Sequence, residues 1–190
     1  HPFQCLSVDE RMLKVKGRTI MKQYMPKKPT KWGIKLFAVC DVKTSYLLDF
    51  DVYTGQQIAG QAEVGLTRAA VERLCHPYAQ QGSIVFTDNY YTSAALANSL
   101  LTEDTHLVGT VQAKRIGFPN VLKNVKQFEK ASVRGAMRYV RVGDIVYVQW
   151  KDKRAVTMLS TFHKATDHVQ ITRHTKQNGQ HVVLQVQQPV

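Results

Sequence analysis

Asp9 and Asp88 are the residues whose placement suggests chemistry, because each closes a short apolar run, Phe3 to Val8 before the first and Ser83 to Thr87 before the second. Such runs read as strands. Two carboxylates at neighbouring strand ends can hold a pair of Mg2+ ions roughly 3.5 to 4 Å apart, one activating a water or a 3′-hydroxyl and the other stabilising the leaving oxygen of a phosphoryl transfer. Oxygen donors suit so hard a cation. Asp at a strand end also commonly caps a turn, so spacing alone leaves a purely structural role open for both residues.

Charge points towards a polyanionic partner. The chain carries 26 Lys and Arg against 14 Asp and Glu, a net charge of +12, which favours DNA, RNA or an anionic surface. The excess is uneven: residues 1–112 hold 12 basic and 10 acidic residues, whereas 113–190 hold 14 and 4. A second cluster lies early, where Lys14, Lys16, Arg18, Lys27, Lys28 and Lys31 fall in a stretch with no Asp or Glu between Glu10 and Asp41. Cys5, Cys40 and Cys75 are far apart and lack Cys-x-x-Cys spacing, so buried thiols are expected rather than a disulfide framework or a zinc site. His163, His168, His174 and His181 are irregularly spaced and read as surface histidines. No apolar run approaches the roughly 20 residues of a membrane helix, and the start lacks a signal peptide's pattern. The chain opens on His1 and is expected to be a fragment of a longer protein.

The elements that must position the two acids follow from periodicity. After the first strand and a basic, Pro-containing loop (Tyr24 to Thr30), Trp32 to Cys40 reads as a second strand. Tyr46 to Tyr53 reads as a third, Leu48, Phe50 and Val52 alternating with Asp49 and Asp51 as on a sheet with one wet face. The three form an antiparallel meander. From Gly65 the apolar spacing becomes helical until Gln81-Gly82, and Ser83 to Thr87 is a buried strand ending at Asp88-Asn89. Thr92 or Ser93 caps a second helix through Leu101, and His106 to Val111 is a fifth strand. Beyond Gln112, Met137 to Trp150 alternates as a hairpin and Ala155 to Thr161 is a further strand. The expected division is therefore 1–112, an α/β unit, and 113–190, a small, strongly basic β-rich unit.

Six segments in order resemble the signature segments of piggyBac-type transposases: Ser7-Val8-Asp9-Glu10-Arg11-Met12, Lys16-Gly17-Arg18, Gln23 to Lys35 (QYMPKKPTKWGIK), Phe86-Thr87-Asp88-Asn89-Tyr90-Tyr91-Thr92-Ser93, Gly109-Thr110-Val111 and Trp150-Lys151-Asp152-Lys153-Arg154. The resemblance implies an RNase H-like mixed sheet with flanking helices, interrupted after its fifth strand by an insertion domain. It implies that Asp9 and Asp88 are the first two catalytic acids and metal ligands of a cut-and-paste DNA transposase, with Mg2+ or Mn2+ as cofactor. It further implies double-stranded DNA as partner (transposon ends and a TTAA target), a homodimer, no membrane and a nuclear location. Lys14, Lys16, Arg18, Lys27, Lys28, Lys31, Lys114, Arg115, Lys151, Lys153 and Arg154 are then the expected DNA-binding residues. Trp32 is expected to pack in the core, the alternative for it and for Tyr24 being to stack on a flipped or terminal base.

One departure from the family pattern matters. The third acid of such enzymes lies beyond the insertion in a YN...GGVD-like segment, and none of Glu129, Asp144, Asp152 and Asp167 has a matching context. The fragment alone is accordingly expected to be inactive. A domesticated, non-catalytic DNA-binding or chromatin-associated protein is the alternative.

Overall fold

The computed structural model of the chain describes residues 2–54, 63–177 and 180–189. Strands β1 (Cys5–Lys14), β2 (Lys22–Tyr24), β3 (Trp32–Asp41) and β4 (Leu47–Val52) come first, followed by helix α1 (Glu63–Cys75), β5 (Ser83–Thr87), α2 (Ala94–Leu101) and β6 (Thr105–Thr110). Helix α3 (Val125–Ala131), β7 (Met137–Val142), β8 (Ile145–Lys151), β9 (Ala155–Ser160), β10 (His168–Gln177) and β11 (Gln180–Pro189) complete the described chain.

The expected meander is present: β3 pairs antiparallel with β1 on one side and with β4 on the other. The chain then crosses over through α1 and returns as β5, parallel to β1, and through α2 as β6, parallel to β5. Parallel neighbours require such crossover connections. The resulting order β4-β3-β1-β5-β6 is the RNase H-like mixed sheet. Its local causes are legible in the sequence. Ser93 caps α2, its hydroxyl accepting from the Leu96 N–H at 3.2 Å, which satisfies a backbone donor at the helix start. Leu6, Val8, Val39 and Val85 point from the sheet to meet Val71, Leu74, Leu96 and Leu100 of the helices, all buried; the hydrophobic effect is the main force holding these layers together.

The composition change near Gln112 does not interrupt this sheet. β9 pairs antiparallel with β6 (Val108↔Ser160, Thr110↔Met158), β8 with β9, and β7 with β8. Tyr147 and Leu159 are buried in the same core as Leu107. The nine-stranded sheet thus runs from β2 to β7 across the expected 112/113 boundary, and among the described residues only β10 and β11 form a separate ribbon. That ribbon approaches β8, where the Arg173 guanidinium lies 5.7 Å from the Trp150 ring centroid. The β7–β8 turn is closed by Gly143 at φ 59°, a left-handed conformation that glycine enters without steric cost.

Two elements differ from the sequence expectation. β2 sits in what reads as loop, and α3 in what reads as a β-rich unit. The first is three residues long and owes its form to pairing with β3. The second is one short exposed helix whose Phe128 ring lies under the Arg138 guanidinium at 4.6 Å; neither offers enough residues to show a period.

A candidate two-carboxylate site

Asp9 lies in the middle of β1 rather than at its end, because β3 continues to pair with β1 as far as Lys14↔Gly33. It is nevertheless level with the end of β5. The register places Ser7 beside Phe86 and Val8 beside Thr87, so Asp9 and Asp88 each follow directly on the last matched pair of β1 and β5. Both are exposed. Asp9 opposes Ala38 of β3 and borders a cavity of about 1020 Å3 lined also by Lys28, Leu36, Phe50 and Phe86. This is the sheet face opposite the helices.

Each acid is fixed by local backbone. The Asp9 Oδ1 accepts from the Glu10 N–H at 2.7 Å. The Asp88 Oδ1 accepts from the Tyr90 N–H at 2.8 Å, and the Asp88 carbonyl accepts from the Thr92 N–H (3.1 Å) and the Thr92 hydroxyl (2.7 Å). The Thr87 and Thr92 hydroxyls are themselves hydrogen-bonded at 2.8 Å. Gly109 of β6 passes directly over this pair, where a Cβ would run into the Thr87 carbonyl and the Thr92 hydroxyl. The absence of a side chain at 109 is therefore part of how the Asp88 turn is built.

Glu10, to which the sequence alone assigns no role, ties three segments together. Its carboxylate receives the Tyr91 hydroxyl at 3.0 Å and the Lys28 ammonium at 3.2 Å, and the same ammonium donates to the Glu10 carbonyl at 3.2 Å. Burial works to raise the pKa of Glu10, but hydrogen bonds from Asp9, Lys28 and Tyr91 and the charge of Lys28 hold it below the ordinary value. Asp9 goes the other way: although the residue is exposed overall, partial desolvation of its carboxyl, then its contact with the Glu10 carboxyl, raises its pKa. Tyr91 stays protonated, its pKa raised by burial and by the negative charge of Glu10. The pair thus divides its roles, with Glu10 charged and occupied by donors and Asp9 facing the open side.

The expected DNA-contacting residues fall into distinct groups. Lys14, Lys16, Arg18, Lys27 and Lys31 are exposed along the early basic stretch, while Lys28 is engaged by Glu10. Lys114 is exposed. Arg115 instead donates to the carbonyls of Asn89 (3.0 Å) and Tyr90, and Gln112 donates to the Asn89 side chain at 2.9 Å; both clamp the turn that follows Asp88. Lys151 is half-buried, 3.8 Å from Glu129, and donates to the Lys153 carbonyl at 3.3 Å. Lys153 and Arg154 are exposed at the β8–β9 turn, which the antiparallel run of β9 against β6 brings to the same end of the sheet as Asp88. Trp32 does not pack in the core: it is 56% exposed.

The donor chemistry of Asp9 and Asp88 suits a hard divalent cation, as oxygen ligands on one face of a sheet should. It is incomplete, since no third His, Cys, Asp or Glu converges on them among the described residues.

Comparison with known proteins bears on the family and the fold. The family described as Transposase IS4 matches residues 1–190. A piggyBac transposase, solved as a synaptic complex with hairpin DNA, superposes with a TM-score of 0.75 at 30% identity over 86% of this chain and 34% of that one. The chain thus spans about a third of that transposase's length. An endonuclease V of Ciona intestinalis, solved with inosine-containing DNA, aligns with a TM-score of only 0.37 at 9% identity over 81% of this chain and 68% of its own, which bears on neither fold nor function. With its whole length matched by the family and its sheet and crossovers superposing on those of a transposase, the chain belongs to the Transposase IS4 family, in its piggyBac-type branch.

Proposed function

We propose that this chain is the catalytic portion of a cut-and-paste DNA transposase, and that Asp9 and Asp88 are two of the ligands of its divalent metal ions. The observation that supports this is the register: Val8 and Thr87 are partners on the directly paired strands β1 and β5, and Asp9 and Asp88 are the residues that follow them. Transposases of this kind generally use a divalent metal, and Mg2+ or Mn2+ suits a carboxylate set. When bound, such ions activate the attacking oxygen and stabilise the leaving one. The chain's own residues do the positioning. Glu10 holds Lys28 and Tyr91, Thr92 holds the Asp88 carbonyl, and Arg115 holds the carbonyls of Asn89 and Tyr90. A metal ligand so restrained loses little freedom on binding.

DNA is the proposed partner, supported by the +12 charge and by the DNA-bound state of the similar transposase. Exposed lysines and arginines of the early basic stretch and of the β8–β9 turn would contact phosphates, so affinity should fall steeply with salt. A nuclear location, a homodimer and a TTAA target belong to the same reading of the full-length protein. With only two acids assigned, the 190-residue chain by itself is proposed not to cut DNA. The test is strand cleavage of a terminal-repeat duplex by a full-length protein carrying this chain. Loss of cutting on Asp9→Ala is expected, and equal cutting by the variant and the wild type would refute the assignment.

A further inference from the structure

Tyr24 and Trp32 face each other across the β2–β3 pair, with ring centroids 4.7 Å apart and planes tilted by 37°. They are 52% and 56% exposed. Large aromatic surface left in water is costly, and an exposed aromatic pair usually marks a binding site when it has a consistent electrostatic setting. The setting here is basic: the pair sits in the stretch between Glu10 and Asp41 that contains no acid, with Lys31 next to Trp32 and Lys22 opposite Ile34.

The sheet register connects this pair to the carboxylates. Trp32, Ile34, Leu36 and Ala38 alternate on one face of β3, and their β1 neighbours on that face are Leu13, Arg11 and Asp9. Leu13 is itself 54% exposed. Six residues of strand separate Trp32 from Ala38, the partner of Asp9, a distance of about 20 Å. The aromatic pair and Asp9 therefore lie at two ends of a single open strip, spanning about six base steps of a DNA strand at 3.4 Å per step.

We propose that Tyr24 and Trp32 form a stacking platform for an unpaired nucleobase of a DNA strand, its neighbouring phosphates held by the flanking lysines. Aromatic rings beside a positively charged track are how proteins bind unpaired nucleic acid without reading its sequence. A paired base inside a duplex has both faces covered, so the platform selects a frayed, flipped or single-stranded nucleotide. This inference rests on the DNA-binding reading above.

The experiment titrates the 190-residue chain with two duplexes of equal length, one blunt and one carrying a short single-stranded overhang, while anisotropy and tryptophan fluorescence are recorded. The chain has two tryptophans and Trp150 is only 7% exposed, so quenching reports on Trp32. The overhang duplex is expected to bind about 5- to 150-fold more tightly than the blunt one and to quench the fluorescence. Tyr24→Ala and Trp32→Ala should each remove the preference while leaving blunt-duplex affinity within about twofold, and Trp32→Phe should retain most of it. Equal binding of both duplexes by the wild type without quenching would overturn the platform and leave the transposase reading standing. So would a Trp32→Ala variant that weakens both duplexes equally. Absence of binding to either duplex would remove the DNA-binding reading itself.

Discussion

Gly109→Ala is the substitution whose effect the structure specifies most closely. Gly109 opposes Thr87 across the parallel β5–β6 pair, and an added Cβ would lie well inside contact distance of the Thr87 carbonyl and the Thr92 hydroxyl and 3.0 Å from the Thr87 hydroxyl. Neither threonine can retreat cheaply. Thr92 is fully buried and Thr87 nearly so, and their hydroxyls bond each other at 2.8 Å while Thr92 also donates to the Asp88 carbonyl at 2.7 Å. Overpacking of this kind costs about 1–3 kcal/mol, and a broken buried hydrogen bond about 1–3 kcal/mol more. Alanine's restriction of the unfolded chain returns roughly 0.4–1 kcal/mol. The net expectation is a loss of about 2–4 kcal/mol, read from urea unfolding of the 190-residue chain. Gly17→Ala is the control, since nothing lies within 4 Å of its added Cβ, and it should stay within about 0.5 kcal/mol of wild type. A Gly109→Ala variant as stable as that control would refute the account of how the Asp88 turn is held.

Gln149 is fully buried, donates to the Leu122 carbonyl (2.8 Å) and the Thr157 hydroxyl (3.0 Å) and accepts from Arg138 (2.8 Å); Gln149→Leu should cost about 2–4 kcal/mol in the same unfolding assay by stranding these partners. Cys75 is 2% exposed and its thiol is pushed up to about 12 by burial and the Glu103 charge, so thiol titration of the native chain at mildly alkaline pH should leave it unreacted while Cys5 and Cys40, which are partly exposed, react. The raised pKa of Asp9, caused first by burial and then by Glu10, means that its charged form costs stability. The cost is absent below the ordinary carboxylate range and develops as pH rises through it. Asp9→Asn should therefore stabilise the metal-free chain at neutral pH, by at most about 1 kcal/mol because the site is open to water, and have no such effect at about pH 3, as melting temperature against pH would register.

Much of this fold is legible in the sequence. β5 coincides with the expected strand over Ser83 to Thr87, Ser93 is the cap of α2, and the meander and crossovers are where alternation and turn residues place them. What sequence could not supply was register and contact across distant segments. Asp9 reads as a strand end because the apolar run stops at Val8, yet β3 carries the pairing on to Lys14. Glu10 and Tyr91 meet although 81 residues separate them, and Arg115 reads as one more basic residue until its guanidinium is seen on the Asn89 and Tyr90 carbonyls. The +10 balance beyond Gln112 marks a change in charge, whereas β8, buried from Ile145 to Trp150, joins that part of the chain to the core through residues that carry no charge. Trp32 departs from expectation for a related reason: tryptophan is usually well buried, whereas here it pairs with Tyr24 of the short strand β2 and is left exposed.

The central claim, that Asp88 beside Asp9 is a metal ligand for DNA cleavage, is tested most directly by changing the ligand atom itself. Asp88→Cys in a full-length protein replaces a hard oxygen with a softer sulfur at the same position, which disfavours Mg2+ and is better tolerated by Mn2+. Cleavage of a terminal-repeat duplex should fall by about a thousandfold or more in Mg2+ and recover substantially in Mn2+, whereas Asp88→Ala should recover in neither. A variant that cuts in Mg2+ as well as the wild type, or one whose loss is the same in both metals and equal to that of Asp88→Ala, would contradict the assignment.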